Sequence, residues 1–216
     1  MKIIKPFTLI ISCLLSLFSF AQDWSGKTYK YYDIYPGYVI TLKGDTITGY
    51  IEHGNRISNQ KQCVYYADAS KKNRKEYKPS DLKGYSVSDK VYRSVHFSGG
   101  LTAKPLSFVL VAKPGHITQY WYYSKKDDVA AIKMGNESDA DYDVRVNKDE
   151  NVWQKGDENP FQQSDLVLGF AKKMNKLVSE YSELAKKVED KEKGYGLTNI
   201  YNIIEEYNKW WESNKK

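Results

Sequence analysis

The stretch Pro36–Glu52, PGYVITLKGDTITGYIE, constrains the chain most. Tyr38, Ile40 and Leu42 alternate on one side of Lys43-Gly44-Asp45, and Ile47, Gly49 and Ile51 on the other. A period of two around a Gly-Asp turn predicts a β-hairpin, because Gly44-Asp45 can supply the positive φ that a tight turn demands. Gly49 inside the second run predicts a bulge or the close approach of another backbone.

Similar segments follow. Gln62–Ala67 reads as a third strand after a polar loop, His53–Gln60. Lys78–Gly84 opens with Pro79 and closes with Gly84, the pattern of a single helical turn. Tyr85–Ser88 and Val91–Phe97 pair across Ser88-Asp89-Lys90. Leu106–Ala112 and Ile117–Tyr123 flank Lys113-Pro114-Gly115-His116, a strong turn signal. Val129–Met134 and Tyr142–Val146 read as further strands, and Val152–Gln154 as the end of a last hairpin over Lys148-Asp149-Glu150-Asn151. Sequential hairpins make antiparallel meanders, so the expected fold is mainly β within an α+β class, a meander sandwich or curled barrel. The absence of helical patterns between strands argues against a parallel nucleotide-binding sheet.

The composition changes at 156–163. Beyond it Leu166, Phe170, Leu177, Tyr181, Leu184 and Val188 recur at helical spacing after Ser164, a suitable N-cap. Lys193-Gly194-Tyr195-Gly196 interrupts, and Leu197, Ile200, Ile203, Ile204, Tyr207, Trp210 and Trp211 form a second stripe. The expectation is a C-terminal helical hairpin over 156–216, following a β domain over 22–155.

Residues 1–21 form a third unit. Lys2 and Lys5 precede an apolar run from Phe7 to Phe20, and Ser19-Phe20-Ala21 places small residues where a signal peptidase reads. This is the pattern of a secretory leader, with cleavage expected after Ala21 and export to the periplasm, the cell surface or the medium. The run is short for a transmembrane anchor. Ile10-Ile11-Ser12-Cys13 loosely fits a lipidation box that would anchor the chain through Cys13, but the apolar run continues past it.

Losing Lys2 and Lys5 lowers the formal net charge from +6 to +4, and the charges interleave. The densest basic run, Lys71-Lys72-Asn73-Arg74-Lys75, lies between strand-like segments and reads as a solvated loop rather than a nucleic-acid patch. Only Cys63 remains after cleavage, so no internal disulfide forms. It sits in a strand pattern and reads as a buried thiol.

Candidate chemistry is sparse. Asp139, Asp141, Asp143 and Glu150 fall at oxygen-ligand positions of a calcium loop, but Val144 stands where that loop needs glycine. Three aspartates lining the solvent side of a strand is the preferred reading, with no cofactor required. His53, His96 and His116 lie at no metal-ligand spacing to one another. Ser25-Gly26-Lys27-Thr28 lacks the upstream glycine of a phosphate loop. Tyr120-Trp121-Tyr122-Tyr123 is a dense aromatic run that would stack on a glycan, a small ligand or a partner if exposed, and would be core if not. Asn136-Glu137-Ser138 fits an Asn-linked sequon.

Several of these stretches together resemble a family of exported proteins of Bacteroidota. The resemblance rests on the leader, Gly37-Tyr38-Val39-Ile40, Gly44-Asp45-Thr46, Pro79-Ser80-Asp81-Leu82-Lys83-Gly84-Tyr85, Tyr120–Tyr123 and Tyr207-Asn208. It implies a periplasmic or surface location and assigns no activity. Asp45-Thr46-Ile47 also looks like the O-glycosylation sequon of that phylum.

With no catalytic constellation in view, the expected role is a non-enzymatic module that contacts a protein or an envelope component. A glycan- or small-ligand-binding module using Tyr120–Tyr123 is the alternative, and a hydrolase with a loop-built site is a third.

Overall fold

Gly44 takes φ +101° at the tip of the first hairpin, a conformation that costs glycine nothing. It joins β1 (Ile34–Thr41) to β2 (Thr46–Glu52), registered so that Val39 faces Ile47 and Tyr35 faces Ile51. The computed structural model describes residues 29–96, 105–126 and 131–214. The leader, Cys13 and Ser25–Thr28 lie outside them.

After β2 come α1 (Arg56–Lys61), β3 (Cys63–Tyr66), β4 (Lys75–Tyr77), β5 (Leu82–Val87), β6 (Lys90–Val95), β7 (Ser107–Lys113) and β8 (Ile117–Lys125). Then follow α2 (Asp139–Val146), β9 (Asn147–Lys155), β10 (Phe161–Gln162), α3 (Gln163–Leu166), α4 (Phe170–Leu177), α5 (Ser182–Glu189) and α6 (Ile200–Asn214). A 3₁₀ turn at Leu197–Asn199 leads into α6.

The strands make one antiparallel sheet in the order β10-β9-β8-β7-β6-β5-β1-β2-β3-β4. Two meanders meet where β5 returns to pair with β1. The mainly β, α+β class and the meander hold, but the sheet neither closes into a barrel nor splits into a sandwich: β4 and β10 remain as edges. Gly49 is a close approach, as its position within the strand suggested. A Cβ there would lie 2.5 Å from both the Tyr65 ring and the Tyr66 carbonyl.

Alternation assigns the two faces. Odd-numbered residues of β8 share a face with Tyr85, Tyr92, Phe108 and Leu110, and Ile57 of α1 packs there. Farther along that face Ile117 and Trp153 meet Met174, Leu184, Val188, Ile203 and Tyr207 of the C-terminal helices. The opposite face gathers Val109, Val111, Tyr120, Tyr122 and Val152. Burying each large side chain of this kind stabilises the fold by about 1.5–3 kcal/mol.

Strand β8 is held at both ends by amide side chains. Gln60 donates to the Tyr123 carbonyl (3.0 Å) and accepts from its N–H (2.8 Å). Asn208 does the same for Ile117, at 2.9 and 2.8 Å. Each amide stands in for a neighbouring strand, which satisfies buried backbone groups that the ladder leaves open.

Several expected elements come out differently. His53–Gln60 is not all loop: Asn55 accepts from the Ser58 N–H and starts α1. Lys78–Gly84 turns only at Lys78–Asp81, and Leu82 already belongs to β5. Tyr142–Val146 is helix, started by Ser138, whose hydroxyl accepts from the Asp141 N–H. Lys148–Asn151 is not a turn but the middle of β9, paired with Trp121–Ser124. Ala131–Met134 contains no strand. The single long helix after Ser164 is three short ones. Gly169 breaks it with φ +78°, and Lys155 breaks it again by donating to the Leu177 carbonyl at 2.7 Å.

Candidate functional site

Two places concentrate chemistry-bearing side chains. The first lies where Tyr29–Asp33 crosses α1 and α2. Asp143 is 3% exposed, and its Oδ2 accepts from the Tyr31 hydroxyl (2.9 Å) and the Arg56 N–H (3.2 Å). Arg56 Nε lies 3.5 Å from the same oxygen, and Asn147 donates to Oδ1 at 2.8 Å. Arg56 also pairs with Asp149 at 2.7 Å, and its guanidinium lies 5.0 Å over the Tyr123 ring. A buried carboxylate with this many donors is compensated in place.

His53 lies beside this network, 5% exposed. Its Nδ1 is 3.4 Å from the Asn59 amide, and the Tyr29, Tyr31 and Tyr35 rings stand 5.5–6.3 Å away. Burial, followed by the Lys90 ammonium, lowers its pKa from 6.5 to about 4. Lys90, itself lowered by desolvation, rests 5.3 Å over Tyr29. Among the described residues no hydroxyl or thiol is hydrogen-bonded to the His53 ring, so the cluster has a base but no nucleophile in hand. Cys63 is buried, and burial pushes its thiol well up, as an inert core cysteine requires.

The sequence-derived ligand sets do not converge. Asp139 pairs with Lys133 at 2.7 Å, and Asp141 accepts from Ser138 at 2.6 Å. Asp143 is consumed by Arg56, while Glu150 on β9 accepts from Ser124 and Gln162. The aspartates are on a helix rather than a strand, and Val144, not Asp143, faces solvent. Among the described residues no three His, Cys, Asp or Glu side chains form a metal-holding group. Tyr120, Tyr122 and Tyr123 are buried and Trp121 is half-buried, so they form no exposed row of rings. His116 stacks on Trp211 at 3.6 Å, and His96 is exposed just beyond β6. Lys71–Lys75 is exposed throughout. No helix among the described residues is long and apolar enough to cross a membrane.

The second place was not foreseen. A groove of about 680 Å³ opens between the first turn of α4 and the segment joining α5 to the 3₁₀ turn. Phe170 and Tyr195 give it apolar walls over the fully buried Val188, and Lys172, Lys191 and Glu192 bring charge. Gly169, Gly194 and Gly196 also line it and keep it open. Among the described residues nothing stands within 4 Å of where a Cβ would sit on any of the three.

Tyr195 is a rigid wall. Its hydroxyl donates to Glu206 at 3.2 Å, and the Lys187 ammonium lies 5.5 Å over its ring. Lys187 is fixed in turn by Glu183 at 2.8 Å. Lys191 follows α5 at φ +54°, in a Schellman turn closed by Lys191 N–H to Val188 O and Glu192 N–H to Lys187 O. That position normally takes glycine. The groove's sequence signal is the punctuation at Gly169 and at Gly194-Tyr195-Gly196, but only folding brings these two breaks together.

No family model, no curated protein and no solved structure matches the chain.

Proposed function

We propose that this chain is an exported, non-enzymatic binding module. Its sheet is the scaffold, and the groove of its helical layer receives a small ligand. The observation that carries the reading is the groove itself. Its volume, about 680 Å³, lies within the range of small-molecule sites, and it joins apolar walls to a few charged groups. The polar cluster around Asp143, by contrast, is closed on itself by Arg56, Tyr31 and Asn147. Export is supported by the leader pattern of Met1–Ala21. The ligand would sit among the helices, since the rings of Tyr120–Tyr123 are buried or half-buried. A small ligand takes precedence over a flat protein-contact surface, because a concave pocket suits a small guest.

The test is a titration with Nile red, a neutral apolar reporter. One saturable site per chain is expected. Gly196 has room for a side chain and an ordinary backbone conformation, so Gly196→Trp fills the groove at little cost to the fold. The variant should unfold as the parent does and lose the dye. Undiminished dye binding by a folded Gly196→Trp protein would refute the assignment.

A further inference from the structure

We infer that the groove's ligand is an organic anion: a carboxylate or phosphate group on an aromatic or aliphatic body. The inference rests on the groove being a ligand site, and it adds the charge of the guest.

Residues 163–214 hold eight lysines, and four of them are spoken for, as is Lys155, which reaches the helical layer from β9. Lys155 holds Glu180 at 2.7 Å, Lys186 holds Asp190 at 3.0 Å and Lys209 holds Glu205 at 2.8 Å. Lys187 holds Glu183, and Lys173 donates to the Asp165 carbonyl at 2.6 Å. Lys172 and Lys191 have no ion pair or side-chain hydrogen bond among the described residues, and both line the groove. Lys176 and Lys193 are also without such a partner but stand outside the lining. Glu192 is the groove's one acid, so the lining carries a net positive charge.

The placement of Lys191 is costly. A side chain at φ +54° is disfavoured relative to glycine, and the turn would close as well with glycine there. The strain sets a cation on the rim of an apolar slot. Tyr195, clamped from behind by Glu206 and Lys187, offers a fixed ring to the body of the guest. A neutral guest would use Phe170 and Tyr195 and leave both ammonium groups to water. An anion would use all four. Gly169 gives α4 no side-chain cap, so the positive end of that helix acts in the same direction.

The experiment compares the anionic dye 1-anilinonaphthalene-8-sulfonate with neutral Nile red on the full chain and on Lys172→Gln/Lys191→Gln. Each solvent-facing charge contact is worth about a two- to fivefold change in affinity. The double variant should therefore bind the anionic dye about tenfold more weakly and Nile red within about twofold of the parent. Decanoate should displace the anionic dye from the parent chain at least about fivefold better than decanol. Retained Nile red binding with unchanged affinity for the anionic dye would overturn the charge assignment and leave the groove standing. Failure of both dyes to bind saturably, or equal binding by Gly196→Trp, would overturn the groove and this inference together.

Discussion

Acidification should destabilise this protein through His53, and the size of the effect follows from its burial. The ring is enclosed by Tyr29, Tyr31 and Tyr35 and lies near Lys90 and Asp89. Burial disfavours the imidazolium most, the Lys90 ammonium disfavours it further, and Asp89 opposes them. The folded chain therefore takes up this proton only near pH 4, whereas an unfolded histidine takes it up near 6.5. Between those values the unfolded state binds more protons, so stability falls as pH drops. The contribution is intact above about pH 7, about 2 kcal/mol is lost by pH 5, and about 3 kcal/mol by pH 4. Below that the loss levels off.

The assay is urea unfolding, followed by far-ultraviolet circular dichroism, at half-unit steps from pH 7.5 to 4 for the parent and for His53→Gln. Glutamine keeps an amide for Asn59 and does not titrate. His116, also lowered by burial and by Lys155, and the carboxylates titrate in both proteins. The difference between the two stability curves isolates His53. It should narrow by about 3 kcal/mol from neutral pH to pH 4. Parallel curves would show that the ring is not held neutral by the fold, and would refute the reasoning.

Three further outcomes follow from single contacts. Asp143→Ala leaves Arg56 with Asp149 alone, strands the Tyr31 hydroxyl and leaves the Asn147 amide only its bond to the residue-143 carbonyl. It should cost about 3–5 kcal/mol in urea unfolding, as expected when one partner of a buried ion pair is removed. Asn208→Leu removes both bonds to Ile117 and should cost about 1–3 kcal/mol, with faster amide exchange at Ile117 but not at Tyr123, which Gln60 holds. Lys191→Gly relieves a positive φ and should raise stability by about 0.5–1 kcal/mol, while weakening the anionic dye and leaving Nile red bound.

The elements legible in the sequence were those whose cause is local. Gly44-Asp45, Ser88-Asp89 and Pro114-Gly115 each fix a tight turn by their own backbone preferences, and each joins two adjacent strands. The meander follows from them. What stayed hidden depends on distant partners. Tyr142, Val144 and Val146 alternate like a strand, yet Ser138 caps a helix and Asp143 turns inward because Arg56, the first residue of α1, meets it there. Ser138–Asp141 is a Ser-x-x-Asp cap whose local pattern competes with the two-residue period. The helical stripe from Leu166 to Val188 has one period but two interruptions. The break at Gly169 has a local cause, a glycine at positive φ, although the stripe runs across it, whereas the other break depends on a lysine that reaches Leu177 from β9.

The same division explains why the aromatic strand is core and why the groove has no local signature. Tyr120–Tyr123 is rich in rings because β8 lies inside the sheet and is packed on both faces, by Tyr85, Phe108 and Ile57 on one and by Val109 and Val152 on the other. Ring density there reflects burial. The groove draws on residues with weak local identity: an unpaired Lys172, a strained Lys191 and a Tyr195 that matters because Glu206 and Lys187 hold it. In a chain whose large aromatics are mostly spent on the core, the informative residues are those that break a local rule without a gain to the fold. Lys191 is such a residue, since glycine would serve its turn better. If Lys191→Gly proves more stable and binds anions as well as the parent, the lysine is an accident of the turn. If it is more stable and binds anions less well, the strain is retained for the ligand.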